Sequence, residues 1–543
     1  MNDLVDQVSG ERLMAHCAGF ARYQKLSGTE PELASLREVE AALVTAGFRT
    51  TLLMHDAYIS LPAKAAVVVA GSSLVAITHS FSLSSPEFGL SARLVDVGAG
   101  TDADFARLTS EGLGLQGAIV LVDGIASPAV AARAAHVGAA GQLHVSPHEH
   151  LHEMCISPVW GSPSTETLGD LPQTVACTIS LADGTALRRQ MPDTVTLHAS
   201  VDTGWRETPI LQADLDGPDP DGPFILFSGH HDTWFYGVMD NGSANATMIE
   251  TARVLASQHG DWKRGLRLCF WSGHSHGRYS GSSWYVDTHW AELERRCAVH
   301  VNVDSTGGIG ATVMTETAVP AELMAVGADA VRAETGQTLL GKRPNRNSDM
   351  SFWGVGIPSM FGSMSHQPPG PVAMRNPLGW WWHTPHDTLD KVDQANLVRD
   401  TRIFVRTLWR LLTDAVLPLD FAAHARALTD ELRRIEATLG DRLSLDPLLT
   451  AAAALETSAV SATSDAALMA LSRALVPADY TKGDRFSHDP ALPMSPWPVL
   501  DPVRALAAAP DGDLARFAFV SAQRARNRLH HMLLNAMPKD FQP

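Results

Sequence analysis

The sequence predicts an α/β protein with a mainly parallel sheet and helices on both of its faces. Between residues 223 and 417, strand-like segments alternate with helix-like ones, for example FILFSG, then ATMIETARVLASQ, then GLRLCFWSG. Such alternation is typical of parallel sheets, because each crossover between parallel strands needs a helix-sized connection. His230, His274 and Asp304 each stand at or just past the end of a predicted strand. Since the carboxyl ends of parallel strands share one edge, these side chains are expected in one site.

The rest of the chain has two other sequence patterns. From about residue 65 to residue 191, short strand-like segments are separated by Gly, Ser and Pro, which is typical of a β-rich unit. The N-terminal segment and everything after Leu417 follow helical spacing instead. The predicted division has four parts: 1–62, N-terminal helices of the α/β domain; 63–200, a β-rich insert; 201–417, the α/β domain; and 418–543, a helical domain.

Composition excludes several classes of function. The formal net charge is -17, whereas nucleic acids and anionic membranes bind a basic face, so neither partner is expected. The five cysteines are scattered without a CxxC spacing, as expected for thiols in a reducing compartment. The N-terminal sequence MNDLVDQVSGERLMAHC carries acidic residues where a signal peptide carries a basic end and an apolar run. A cytoplasmic protein is therefore expected.

Three polar motifs carry metal-ligating residue types. They are SGHHDTWFYGVMDNGSA (228–244), VNVDSTGG (301–308) and WHTPHDTLDKVD (382–393). A dinuclear centre needs a carboxylate shared by two ions, with histidines and carboxylates that complete each shell. Each motif alone is a weak signal, but together they supply such a set. The candidate ligands are His230 or His231, Asp240, Asp304 and His383, with Asp232 as a carboxylate that orients a ligand.

These motifs resemble the co-catalytic zinc aminopeptidase and carboxypeptidase family, and within it the branch of glutamate carboxypeptidase II and the transferrin receptor. LQGAIVLVDGIASPAVAARAAHVGAAG (115–141) resembles the protease-associated domain of that branch, and GDRFSHDPALPMSPWPVLDP (483–502) resembles its dimerisation domain. NSDMSFWGVGIPSM (347–360) resembles the family's Ser-Asp segment that leads into a Gly-Ile-Pro strand. The resemblance covers nearly the whole chain. It implies a zinc-exopeptidase-type sheet, a protease-associated insert, and a homodimer formed through the C-terminal helical domain.

The resemblance also implies how the candidate ligands are used. His230 and Asp304 would hold one metal ion, His383 would hold another, and Asp240 would bridge the two. One or two divalent transition metal ions are expected, with zinc first and iron, manganese or nickel as alternatives.

The segment WSGHSHGRYSGSSW (271–284) departs from the family, which has two consecutive glutamates there, a general base and a metal ligand. Alignment from the preceding strand places His274 at the base position and Ser275 at the ligand position. Alignment backwards from the following Gly-Ser places Ser275 at the base position and His276 at the ligand position. Both alignments stay open, because the segment has one extra residue. Imidazole suits either role, since it takes up a proton near neutral pH and also binds transition metals.

Several other side chains are expected near the site. Arg278 can pair with a carboxylate of the substrate, and Asp349 can orient a neighbouring residue. Glu316 offers a carboxylate in place of the missing glutamate, as an alternative. HEHLHEMC (148–155) lies in the insert and is interpreted as a loop that lines the site or the surface. The residues expected to orient ligands or to bind substrate are Asp232, Arg278, Asp349, His366 and Trp382.

The predicted function is a metal-dependent hydrolase that cleaves an amide or peptide-like bond in a small substrate. Metal ions would polarise the carbonyl group and hold the attacking water, and His274 or His276 would replace glutamate. One alternative is a lyase, or a hydrolase of a non-peptide C–N bond, that uses the same metals. Another is a catalytically inactive binding or scaffold protein. Because the usual base is absent, poor ordinary aminopeptidase activity is expected.

Overall fold

A continuous network of paired strands runs through the computed structural model, which describes residues 1–370 and 377–542. The strands are β1 (Arg49–Val69), β2 (Ser72–Val75), β3 (Ile77–Thr78), β4 (Leu90–Asp96), β5 (Ile119–Asp123), β6 (Gly141–Val145), β7 (Val175–Ile179), β8 (Thr194–Leu215), β9 (Phe224–His230), β10 (Gly265–Trp271), β11 (Cys297–Asp304) and β12 (Ser359–Ser363). Their main order across the described network is β12, β11, β9, β10, β8, β4, β5, β6, β7, β3, with β1 and β2 paired beside β8.

The predicted parallel sheet is confirmed between β9 and β12. Strands β10 and β11 both run parallel to β9, and β12 runs parallel to β11. Every residue of β9 is buried, as expected for a strand covered on both faces. Ile225 and Phe227 pack in one hydrophobic cluster, whereas Phe224 and Leu226 pack in another. Because alternate residues of a strand point to opposite faces, the sheet has a hydrophobic core on each side.

Sixteen α-helices lie within the described residues, and six of them begin at a residue whose side chain caps the first turn. Asp393, for example, accepts a hydrogen bond from the Asn396 amide at the start of the longest helix in the α/β domain. None of the described helices is both long and apolar enough to cross a membrane. The helices are α1 (Asn2–Val5), α2 (Gly10–Phe20), α3 (Glu30–Thr45), α4 (Asp102–Ser110), α5 (Pro128–His136), α6 (Leu181–Gln190), α7 (Ala244–Ala256), α8 (Ser280–Thr288), α9 (Trp290–Arg296), α10 (Met324–Thr335), α11 (Gln394–Thr413), α12 (Phe421–Leu439), α13 (Asp446–Ala459), α14 (Asp465–Tyr480), α15 (Asp501–Ala508) and α16 (Asp513–Ala536).

A long two-stranded ribbon connects the α/β sheet to the segment between residues 70 and 193. Strands β1 and β8 contain 21 and 22 residues and pair antiparallel along most of their length. Strands β4 to β7 continue from β8 as a parallel set with its own hydrophobic clusters. This segment therefore contains parallel strands with helices between them, and its assignment to a protease-associated domain stays a prediction.

The C-terminal helices pack against the core of the α/β sheet. One hydrophobic cluster contains Phe227 of β9 together with Leu428 and Leu432 of α12. An ion pair strengthens this junction, because Nε and Nη2 of Arg264 each donate a hydrogen bond of 2.7 Å to the Asp465 carboxylate. The arginine side chain is fully buried and the aspartate is 26% exposed, so solvent screens the pair only in part.

Candidate metal centre

Parallel strands bring three predicted site residues to one edge of the sheet. His230 is the last residue of β9, Asp304 is the last residue of β11, and His274 follows the end of β10. Nε2 of His230 lies 3.7 Å from Oδ1 of Asp304, and the rings of His230 and His274 stack with centroids 3.7 Å apart. Each of the three offers a ligand atom within 4.8 Å of the others. They form a group that is able to hold a metal ion.

Asp240 lies between two histidines. Its Oδ1 is 3.2 Å from Nε2 of His230, and its Oδ2 is 3.2 Å from Nε2 of His383. All three side chains are buried. A carboxylate that faces two imidazoles through separate oxygens has the arrangement of a ligand shared by two ions.

Both histidines leave their inward-facing nitrogens free for a metal ion. Nδ1 of His230 lies 2.8 Å from the Asp232 carbonyl oxygen, and Nδ1 of His383 lies 2.8 Å from the Glu153 carbonyl oxygen. A carbonyl oxygen only accepts, so each Nδ1 carries the proton and each neutral ring has a lone pair at Nε2. Nε2 of His230 and Oδ1 of Asp240 are buried without a hydrogen-bond partner. Two buried acceptors that face each other need a proton or a metal ion between them, so these residues fit a metal ion.

The electrostatics of the site also favour a cation. Burial alone would lower the pKa of His230, but the Asp240 and Asp304 carboxylates outweigh it and raise that pKa well above its usual range. Burial alone would raise the pKa of Asp240, but His230 and His383 hold it well below its usual range. For His383 burial prevails, and its pKa is lowered. A metal ion would replace the proton that these carboxylates attract to His230.

Asp387 fixes the backbone that carries Asp240. Its Oδ1 accepts a hydrogen bond from the Met239 amide at 2.8 Å, and its Oδ2 accepts one from the Asp240 amide at 2.9 Å. The side chain is almost fully buried, and burial raises its pKa to about 7. The sequence alone assigned Asp387 no role. The only sequence feature that linked Asp387 to the site was its position shortly after His383.

Asp232 anchors the loop that follows β10. Its carboxylate accepts hydrogen bonds from the amides of His274 at 3.1 Å and of Ser275 at 2.8 Å. The Ser27 hydroxyl, from the N-terminal segment, donates a third at 2.7 Å. Burial would raise the pKa of Asp232, but its neighbouring histidines hold it below its usual range. The carboxylate thus positions the His-Ser-His loop, while its backbone carbonyl orients His230.

Asp349 orients the ring of His274. Oδ2 of Asp349 lies 2.8 Å from Nδ1 of His274, and its Oδ1 accepts a hydrogen bond from the Ser282 hydroxyl at 2.8 Å. The carboxylate is fully buried. As an acceptor it fixes the ring proton at Nδ1, which leaves Nε2 of a neutral His274 as the basic nitrogen.

The structure brings His274 to the candidate ligands but does not bring His276 there. His276 is fully buried, with Nδ1 3.0 Å from the Ser27 hydroxyl and its ring packed on Trp234. Within residues 1–370 and 377–542, no hydrogen bond or ion pair joins His276 to Asp240 or Asp304. Ser275 lines the same cavity as His274, and its hydroxyl is buried without a partner. This placement favours the alignment made from the preceding strand.

A cavity of about 660 Å³ opens over these residues. Trp382 lines it and stacks on the His383 ring with centroids 3.5 Å apart, while His366 pairs through its backbone with Val313. Arg278 also lines it. Its Nε is buried without a partner, and its Nη2 donates a hydrogen bond of 3.4 Å to the Ala491 carbonyl oxygen.

Two of the remaining sequence-predicted features lie at the edge of the site. Glu316 lines the cavity but forms an exposed ion pair with Lys342. The His-rich loop of residues 148–155 contacts the segment that carries His383, since the Glu153 amide donates to the His383 carbonyl oxygen at 3.0 Å. His231 is turned away from the candidate ligands and pairs with Asn245 at 2.8 Å.

The chain is similar in sequence to known peptidases. Residues 211–408 match the sequence model of peptidase family M28. A probable glutamate carboxypeptidase, VP8 from Zea mays, is 22% identical over 503 residues, which cover 76% of this chain and 68% of the maize protein. Aminopeptidase NAALADL1 from Mus musculus is 24% identical over 277 residues, which cover 44% of this chain and 37% of the mouse protein.

Solved structures show the same fold. The peptidase M28 precursor from Shewanella amazonensis matches with a TM-score of 0.60 at 19% identity, over 77% of this chain and 96% of that one. The zinc aminopeptidase BSAP from Bacillus subtilis matches with a TM-score of 0.57 at 19% identity, over 75% of this chain and 96% of that one. Residues 211–408 match peptidase family M28, so the predicted resemblance to zinc aminopeptidases and carboxypeptidases is confirmed.

Proposed function

We propose that this protein is a metal-dependent hydrolase that cleaves an amide or peptide-like bond in a small substrate. The observation that carries the proposal is Asp240, whose two oxygens lie 3.2 Å from Nε2 of His230 and of His383. The similarity to a glutamate carboxypeptidase and to aminopeptidases supports an amide or peptide bond as the target. Two zinc ions are the proposed cofactor.

The proposed ligands divide between two ions. His230 and Asp304 would hold one, His383 would hold the other, and Asp240 would be shared. When bound, the ions supply Lewis acidity that polarises the substrate carbonyl and makes water a better nucleophile at neutral pH. Ser305 and Ser348 orient Asp304, because their hydroxyl groups each donate a hydrogen bond of 3.0 Å to its carboxylate.

His274 is proposed to act as the proton carrier. Its Nδ1 proton is held by Asp349, so Nε2 can take a proton from the attacking water and return it to the leaving nitrogen. His276 is not proposed for this step, because its ring is tied to Ser27 and packed on Trp234.

His274 lies close enough to His230 and Asp304 to serve as a metal ligand instead. The variant His274→Ala separates the two roles. A proton carrier can be removed without loss of metal, so turnover should fall about 10²-fold or more while metal content stays at the wild-type level. Loss of one ion per chain in this variant would make His274 a ligand.

Arg278 is proposed to bind an anionic group of the substrate. Lys342 and Arg343 also line the cavity, but they form ion pairs with Glu316 and Asp479. No acidic partner pairs with Arg278 among the described residues. A guanidinium group without a counter-ion in a cavity is suited to a carboxylate, so Arg278→Met should raise KM more than it lowers kcat.

The test of the proposed function is the joint loss of metal and turnover. His230→Ala and Asp304→Ala should each lose bound metal and hydrolysis of a panel of N-acyl amino acids and dipeptides. Product analysis in ¹⁸O-labelled water should place solvent oxygen in the product, because only hydrolysis does so. Full activity in either variant, or product without solvent oxygen, would contradict the proposal.

We also propose that the protein is a homodimer formed through its C-terminal helices. The first half of α16 exposes large apolar side chains, with Leu514 64% exposed and Phe517 70% exposed. Val460, at the end of α13, is 73% exposed. Apolar side chains concentrated on one helical region favour a protein interface.

A reducing, cytoplasmic location is proposed from the cysteines. All five are buried free thiols. Proteins in oxidising compartments more often join such residues in disulfides.

A further inference from the structure

We infer that His152, in the segment between β6 and β7, is a positioning residue for His383. This inference rests on the proposed function, because it takes His383 as a metal ligand. It is carried by a chain of hydrogen bonds that leads from the His-rich loop to the backbone of residues 382 and 383.

The partners in this chain determine where each proton lies. Nδ1 of His152 is 2.5 Å from the Trp382 carbonyl oxygen, and a carbonyl only accepts, so Nδ1 is protonated. The His150 amide donates to Nδ1 of His148 at 3.0 Å, so the proton of a neutral His148 lies on Nε2. That proton is donated to Nε2 of His152 across 2.9 Å. His148 thus selects the tautomer of His152 that donates to Trp382.

The facing imidazoles of His148 and His152 do not indicate an additional metal site. A metal ion between their Nε2 atoms would need a lone pair on both nitrogens. His148 would then have to carry its proton on Nδ1, which already accepts from the His150 amide. Hydrogen bonding alone accounts for the 2.9 Å contact, so the pair has a structural use.

The next residue along the loop holds His383 directly. The Glu153 amide donates to the His383 carbonyl oxygen at 3.0 Å, and Nδ1 of His383 donates to the Glu153 carbonyl oxygen at 2.8 Å. His383 has a φ of 57°, in the left-handed region that is uncommon for residues other than glycine. Such a conformation persists only when its surroundings hold it. The Trp382, His383 and Glu153 bonds together supply that support.

His152 therefore acts on the metal site through the backbone. Its side chain is 1% exposed, so no water competes for the Trp382 carbonyl oxygen. Removal of the Nδ1 donor would leave that buried carbonyl oxygen without its partner and loosen the segment beside the ligand. Groups that orient a metal ligand typically contribute about 10- to 100-fold to metal affinity.

The experiment is a zinc titration of the metal-free 543-residue chain in competition with a chromophoric chelator. His152→Leu removes the donor, and we expect the zinc ion that is proposed for His383 to bind about 10- to 100-fold less tightly. His152→Asn should restore most of the affinity, because its Nδ2 replaces Nδ1 as donor to Trp382. Glu149→Ala is the matched control; it removes an exposed side chain from the same loop but keeps the hydrogen bonds that join the His150 amide, His148 and His152, and its affinity should equal that of the wild type.

His148→Leu is a second variant in case His152→Leu does not fold. It leaves the donor in place but removes the group that selects its tautomer, so a smaller loss in the same direction is expected. Wild-type affinity in both leucine variants, in a wild type that binds two ions, would overturn this inference alone. A wild type that binds fewer than two ions would overturn the two-ion proposal and this inference with it. Equal losses in His152→Leu and His152→Asn would also contradict it, because a specific donor would not be involved.

Discussion

The ring of His274 is fixed on two sides. Asp349 accepts its Nδ1 proton, and the His230 ring lies parallel to it with an interplanar angle of 11°. A buried carboxylate in this position selects the tautomer in which Nε2 is the base. If His274 carries the proton as proposed, proton transfer depends on Asp349, because Asp349 fixes the orientation and the tautomer of the ring.

The variant Asp349→Asn tests that dependence. An amide can donate to Nδ1 and so move the ring proton to Nε2, where the base is needed. We expect kcat to fall about 10²- to 10⁴-fold, the range of a lost general base, while metal content stays unchanged. Steady-state kinetics together with elemental analysis measure both quantities. Unaltered kcat would mean that His274 is not the proton carrier.

The variant Asp387→Asn tests whether Asp387 fixes the backbone that carries Asp240. An amide side chain can accept only one of the two backbone hydrogen bonds that the carboxylate now accepts from Met239 and Asp240. We expect metal affinity to fall about 10-fold or more. Asp390→Asn is the matched control, since Asp390 lies in the same loop but is exposed. Equal metal affinities in the two variants would show that Asp387 does not support metal binding.

At the scale of elements, the positions of the site residues at the strand ends were predictable from the sequence. The contacts that hold these residues in place were not. The alternation of strands and helices predicted one edge for His230, His274 and Asp304, and the structure places them within 4.8 Å of one another. His276 contacts Ser27 instead of the candidate ligands, and Ser27 is 249 residues from His276 in sequence. No local pattern encodes such a contact, because only the packing of the N-terminal segment under the loop creates it.

A buried ion pair joins α12 to the α/β domain and predicts how stability depends on pH. Nδ1 of His424 lies 3.1 Å from Oε2 of Glu322, and both side chains are buried. Burial alone would lower the pKa of His424, but Glu322 outweighs it and raises that pKa. Because the folded-state pKa exceeds the unfolded value of 6.5, the pair's contribution is complete below that pH. It is lost as the pH rises through the folded-state pKa.

The variant His424→Gln should therefore be destabilised most at low pH. We expect the free energy of unfolding to fall by about 3 kcal/mol below pH 6.5, and by less at alkaline pH. Urea denaturation across this range gives both values. The control His488→Gln breaks a pair with the half-exposed Asp287 and should change stability little. A loss in His424→Gln that grows with pH would contradict the assignment.

At the scale of the whole molecule, the exposed apolar part of α16 is the feature that the single chain does not explain. The C-terminal helices share a core with the α/β sheet, yet Leu514 and Phe517 stay exposed. The family resemblance predicts a dimer formed through the C-terminal helices. The structure of one chain shows the exposed apolar side chains of α16 but no partner for the residues that it describes.

The variant Phe517→Asp tests this surface. A charge at the centre of an apolar interface is costly to bury, so we expect the variant to elute as a single chain of 58.3 kDa, whereas the wild type should have twice that mass. Size-exclusion chromatography with light scattering gives the mass. Val75→Asp, at an exposed apolar residue of β2, should remain dimeric. A monomeric wild type would contradict the dimer proposal.

The metal content per chain tests the central claim most directly. Elemental mass spectrometry is applied to protein purified without chelator, and again after reconstitution with zinc. Since Asp240 faces both His230 and His383, we expect close to two equivalents of a divalent transition metal per chain. The absence of bound metal, even after reconstitution, would contradict it and would favour a binding protein built on the same fold.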